Sequence, residues 1–103
     1  MAYDKTKLYR LTHRLYKELK DQPHLIHLKK LNGSQGEYHY DTSQVFLDYR
    51  RTLIPTLIHE YLHKWNPDKC ETWVLKEESL IMNALSQQQV LNILKALSEA
   101  VNH

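Results

Sequence analysis

The amino-acid sequence predicts an α+β domain: one helix, a three-stranded sheet, then three more helices. Three observations carry that expectation. Apolar residues recur at helical spacing in four segments. Between the first and second of these lie three short strand-like runs, separated by polar turn clusters. Glycine and proline are scarce, 2 and 3 in 103 residues, which favours regular structure.

In chain order, Asp4 can cap a first helix running to about Lys20, with Leu8, Leu11, Leu15 and Leu19 on its apolar side. Its other side carries Lys5, Lys7, Arg10, Arg14, Lys17 and Lys20, expected to be a solvated surface rather than a track for phosphates. Pro23 ends the helix. Residues His24 to Leu31, Glu37 to Asp41 and Gln44 to Tyr49 follow as strands, separated by Asn32–Gly36 and Asp41–Ser43. The sheet is expected to be antiparallel or mixed. His39 and Tyr40 could face a cleft but read as ordinary strand side chains.

Thr52 can cap the second helix, with Pro55 in its first turn, and Asn66-Pro67 stops it. Asp68 is the expected cap of a third helix reaching Leu85, and Ser86 with Gln89 forms a capping box for a fourth. The fourth helix has an apolar stripe of Val90, Leu94, Leu97 and Val101, suited to covering the third.

One domain spanning residues 1–103 accommodates these elements. A formal net charge of +2 gives no strong case for nucleic acid or an anionic membrane as partner. The single cysteine, Cys70, excludes an internal disulfide framework and fits a reducing compartment. With no apolar leader at Met1 and no membrane-length run, a cytoplasmic protein is expected. The oligomeric state is not legible.

The second helix carries His59-Glu60-Tyr61-Leu62-His63. Histidines four apart lie one above the other on one helical face, where both imidazoles can converge on a single cation. Glu60 flanks that face, within reach of a water on the cation, which it can deprotonate. This is the H-E-x-x-H pattern of zinc hydrolases: two metal ligands and a general base. Its expected context is an apolar helix with both histidines off the buried stripe, and Ile54, Ile58, Tyr61, Leu62 and Trp65 provide that stripe.

A catalytic zinc commonly takes three protein ligands and a water. Glu71, Glu77 and Glu78 follow on the next helix, and Cys70 is chemically competent. Glu71 and Glu78 share one stripe about 10 Å apart, so they cannot both bind the same ion. The short turn after His63 favours Glu71. Glu78 is then placed to hydrogen-bond a ligating histidine. Glu71 could instead be the third position of a capping box begun by Asp68.

The run Thr56 to His63, followed by Pro67, Glu71 and Val74, resembles the minigluzincins, small metallopeptidases with an H-E-x-x-H helix followed by a glutamate helix. The order of the preceding helix and strands is similar too, although only residues 52–78 carry specific motifs. The resemblance implies a zincin-like fold, one zinc per chain held by His59, His63 and Glu71, and Glu60 as base. It further implies hydrolysis of peptide bonds in a peptide or protein substrate, and possible latency through a terminal segment. Asn102-His103 would supply an imidazole and a carboxylate for such latency, against the simpler expectation of a disordered tail. The competing expectation for the whole chain is an inert binding module on the same scaffold, with a structural metal or none.

Overall fold

The computed structural model describes residues 3–102, in the order helix α1 (Lys5–Asp21), strands β1 (Ile26–Lys29), β2 (Gly36–His39) and β3 (Gln44–Asp48), and helices α2 (Leu53–Trp65), α3 (Glu71–Ala84) and α4 (Gln87–Val101). Asp4 caps α1, its carboxylate accepting from the backbone N–H of Thr6 and Lys7. Pro23–Leu25 forms a 3-10 turn, so β1 begins two residues later than the apolar run suggests. Proline fixes the φ of that turn's first position and has no N–H to lose there.

The sheet is mixed, in the order β1-β3-β2: β3 pairs parallel with β1 and antiparallel with β2. Ile26, Val45 and Tyr38 align across it on the helix-facing side, as do Leu28, Leu47 and Gly36. β2 is therefore an edge strand beside α2, and a glycine occupies a position aimed at that helix.

Helix α2 is the centre of the core. Ile54, Leu57, Ile58, Tyr61 and Leu62 are all buried, at i, i+3, i+4, i+7 and i+8. Each such side chain contributes roughly 1.5–3 kcal/mol through removal of apolar surface from water. Thr56, His59, Glu60 and His63 follow the same spacing on the adjacent flank. Thr52 holds the N-cap position without a side-chain hydrogen bond.

Two expected features of the later helices are corrected. Asp68 does not cap α3. Residues 67–69 are spent in a turn in which the Lys69 N–H donates to the Asn66 carbonyl, so Cys70 takes the cap position and Glu71 is the first helical residue. On α4 the buried residues are Ile93, Leu97 and Ala100, and Leu94 is exposed. The stripe is rotated because α4 packs chiefly on α1 and β1, while α3 packs on α2. The Ser86–Gln89 capping box is formed in full. Among the described residues, no helix is long and apolar enough to cross a membrane.

Candidate metal centre

The cleft between β2, α2 and α3 has a volume of about 410 Å³ and is bordered by His59, Glu60, Glu71 and Glu78 together with Gln35, Gly36, Thr56 and Leu75. Four helical turns of α2 and the tight turn at Pro67 bring its two ends together. The Asn66 side-chain amide and backbone N–H both donate to the Leu62 carbonyl, ending α2 two residues after His63. The chain reverses there, and Glu71 begins α3 above the histidines.

The two imidazoles stand edge to face with centroids 4.9 Å apart. Oε1 of Glu71 lies 2.8 Å from His59 Nε2 and 3.1 Å from His63 Nε2, and His63 donates to it. The donor atoms of His59, His63 and Glu71 all fall within 4.8 Å of one another. Around an ion with ligands at 2.0–2.1 Å, tetrahedral geometry separates neighbouring ligand atoms by about 3.3 Å. The two separations from Glu71 Oε1 lie within about half an ångström of that value, and two imidazole nitrogens with a carboxylate oxygen are a donor set that such an ion takes.

His59 adds a chemical argument. Its Nδ1 lies 2.8 Å from Glu78 Oε1 and donates to it. A neutral ring then carries its lone pair on Nε2, the atom facing Glu71. A lone pair and a carboxylate oxygen 2.8 Å apart repel unless positive charge stands between them. Either a proton or a bound cation can supply it. Glu78 thus orients His59, and Glu71 completes the donor set.

Glu60 is buried and turns toward the cleft beside Gly36. Loss of hydration on burial pushes its carboxyl above the usual carboxylate range, partly opposed by the nearby His59 and His63. Among the described residues, no group donates a hydrogen bond to it. Gly36 sets this arrangement: a Cβ there would lie 2.5 Å from Thr56 Cγ2 and 3.1 Å from Glu60 Cγ. Only a bare backbone lets the edge strand approach α2 so closely.

The remaining candidates lie elsewhere. Glu77 faces the opposite flank of α3 and pairs with Lys7. Cys70 is exposed at the α3 cap, outside the donor cluster. His39 donates to Glu37 and packs on Phe46 across the outer face of the sheet, while Tyr40 is exposed in the hairpin beside Tyr38. Neither borders the cleft. No described residue of α4 lines it, and His103, the imidazole expected in the tail, lies outside the described residues. Gly36 and Gln35 carry no site signal in the sequence, where they read as part of a turn cluster. Thr56, at i−3 from His59, is legible from helical spacing alone.

No protein-family model, curated protein or solved structure matches this chain.

Proposed function

We propose that this protein is a zinc-dependent peptidase of the minigluzincin type, built on a zincin-like scaffold. The observation that carries the reading is the convergence of His59, His63 and Glu71 on one point beside the buried Glu60. His59 and His63 hold the ion through Nε2 and Glu71 through Oε1, a nitrogen–oxygen donor set that suits zinc. Bound there, zinc polarises a scissile carbonyl and lowers the pKa of a coordinated water.

The chain's own residues do the rest. Glu60 would accept a proton from a water held there and return it to the departing amine. Glu78 holds His59 in the tautomer that directs Nε2 toward the ion. Gly36, at the start of the edge strand β2, borders the cleft, and an extended peptide entering there can pair with that edge. Leu75, 53% exposed at the cleft wall, offers apolar contact to a substrate side chain.

A second reading has its own support. Glu71 and Glu78 already hydrogen-bond both histidines, so the cluster can close around protons and leave an inert binding module. Metal content and turnover separate the two. The peptidase reading expects one zinc per purified chain, cleavage of a labelled peptide mixture, loss of cleavage on chelation and recovery with zinc. A metal-free chain that stays folded and cleaves nothing, with zinc added or without, supports the module instead.

A further inference from the structure

On the far flank of α3 from the metal cluster lies a second groove, of about 310 Å³, between α1 and the α2–α3 turn. The two sites do not share a wall. Glu71, Leu75 and Glu78 face the cleft, whereas Trp73 and Glu77 face the groove, with buried Val74 and Ile81 between them.

The groove has two chemically distinct walls. One is a ridge of α1, where Lys7, Arg10 and Arg14 fall at i, i+3 and i+7, spanning about 10 Å along the helix. The other is apolar and aromatic, formed by Leu62, Trp65 and Trp73. Both tryptophans of the chain are therefore here.

Charge is unbalanced within it. Glu77, with its side chain 14% exposed, is the groove's one carboxylate and is paired with Lys7 at 3.8 Å. Among the described residues, Arg10 and Arg14 have no carboxylate within salt-bridge distance. The Arg14 guanidinium instead lies over the Trp65 ring, 4.5 Å from its centroid. Two guanidinium forks facing an apolar wall suit a ligand that is acidic on one side and apolar on the other. In an extended peptide, alternate side chains point to opposite sides and repeat about every 7 Å, which matches the ridge.

We propose that this groove docks an acidic peptide segment, with carboxylates on Arg10 and Arg14 and an apolar side chain against Trp73. A single-stranded nucleic acid fits less well. It needs free ring faces for its bases, and Trp65 is already packed by Arg14 and Tyr61. Glu77 inside the groove also repels a phosphate backbone. The docking site is independent of the metal reading and is tested with the metal chelated.

The probe is a fluorescently labelled, end-capped hexapeptide alternating aspartate and leucine, titrated with the full chain in a chelating buffer of low salt. Saturable anisotropy, together with a saturable shift in tryptophan emission at the same midpoint, is the expected result. Arg10→Gln, an exposed position whose change leaves the fold intact by circular dichroism, raises Kd about tenfold or more. Arg51→Gln, a charge-matched change on an exposed turn before α2, leaves Kd unchanged. The proposal is overturned if the acidic peptide shows no saturable binding, or if lysine in place of aspartate binds equally well. It is equally overturned if Arg10→Gln has no effect or if an oligothymidylate of equal charge binds more tightly.

Discussion

Glu60 and Asp48 are both buried carboxylates, 8% and 1% exposed, yet their surroundings push them in opposite directions. Asp48 accepts from the backbone N–H of Leu31 and Arg50 and from Nε and Nη2 of Arg50. Nη2 of Arg50 also donates to the Leu31 carbonyl, so the cluster ties the end of β3 to the chain leaving β1. With the Arg50 side chain and two backbone amides donating to it, the carboxyl is held well below the usual range. Among the described residues Glu60 has no donor, and burial raises its carboxyl. Burial is common to both, and the hydrogen-bond account separates a staple from a reactive group. A buried acid with its donors in place stabilises a fold, whereas one raised by burial and turned into an open cleft beside two imidazoles is placed for chemistry.

The largest expected effect follows from removing the unsatisfied acid. Glu60→Gln should lower peptide hydrolysis by about 10²–10⁴-fold while zinc content stays at one per chain, because a base is lost and no ligand. Thermal stability should stay level, since a neutral amide is easier to bury than an unpaired carboxylate. Cleavage at the parental rate would remove Glu60 from the mechanism, and a steep fall in melting temperature would make it a second staple.

The two glutamates of α3 sharpen the same contrast. Glu71→Ala takes away a donor atom, and Glu78→Ala takes away only the group that orients His59. Losing a group that only orients a ligand weakens metal binding about 10–100-fold, and loss of a ligand should weaken it further. Titration of both variants against a zinc-competing chelator measures the difference. Equal affinities, or a greater loss for Glu78→Ala, would transfer the third ligand two turns along the helix.

For the staple the effect should fall on the fold and leave the metal alone. Asp48→Asn leaves Arg50 and one backbone amide incompletely paired and should lower the melting temperature by about 5–10 °C at neutral pH. Its pH dependence has a definite sign. A depressed carboxyl stabilises in full above its unfolded pKa of about 3.9, and the contribution is lost as pH falls through that value toward the folded one. The parent should therefore lose stability between about pH 5 and pH 2 more steeply than Asp48→Asn. Parallel acid-unfolding curves would show that the staple contributes nothing through charge.

The difference between these acids also marks what a single sequence makes legible. His59, Glu60 and His63 stand out because their chemistry requires a fixed spacing within one helix, and Glu71 follows from the length of one turn. The four helices, the hairpin and the Ser86 capping box are local in the same sense. Asp48 and Arg50 are silent in the sequence, because the partners that define them, Leu31 and the mixed pairing of β1 with β3, are remote in the chain. The face of α4 departs from the expected one at Leu94 for a similar reason: Leu97 is buried and Val90 and Val101 pack against the core, but Ile93 and Ala100 are buried where Leu94 is exposed. Val90, Leu94, Leu97 and Val101 and the buried Ile93, Leu97 and Ala100 both repeat at helical intervals, and only packing on α1 decides between them.

Gly36 joins the two regions, since the sheet that Asp48 ties together ends in the edge strand that lies against Glu60. A Cβ at this position meets the Thr56 methyl at 2.5 Å, a separation that side chains do not sustain, so strand or helix must give way. Moving β2 outward admits water around Glu60 and shifts a group whose usefulness depends on placement within about 1 Å. Gly36→Ala should then lower hydrolysis about tenfold with a loss of only a few degrees in melting temperature. The strained atom is the Thr56 methyl, whereas its hydroxyl lies within hydrogen-bond distance of Gln35 Oε1. Thr56→Ser removes the methyl and keeps the hydroxyl, so in the Gly36→Ala background it should restore most of the lost activity while changing the parent little. Recovery would identify close approach of strand to helix as the feature that holds Glu60. A double variant no better than Gly36→Ala would place the defect in the backbone of β2 itself, and an unimpaired Gly36→Ala would show that Glu60 is held by α2 alone.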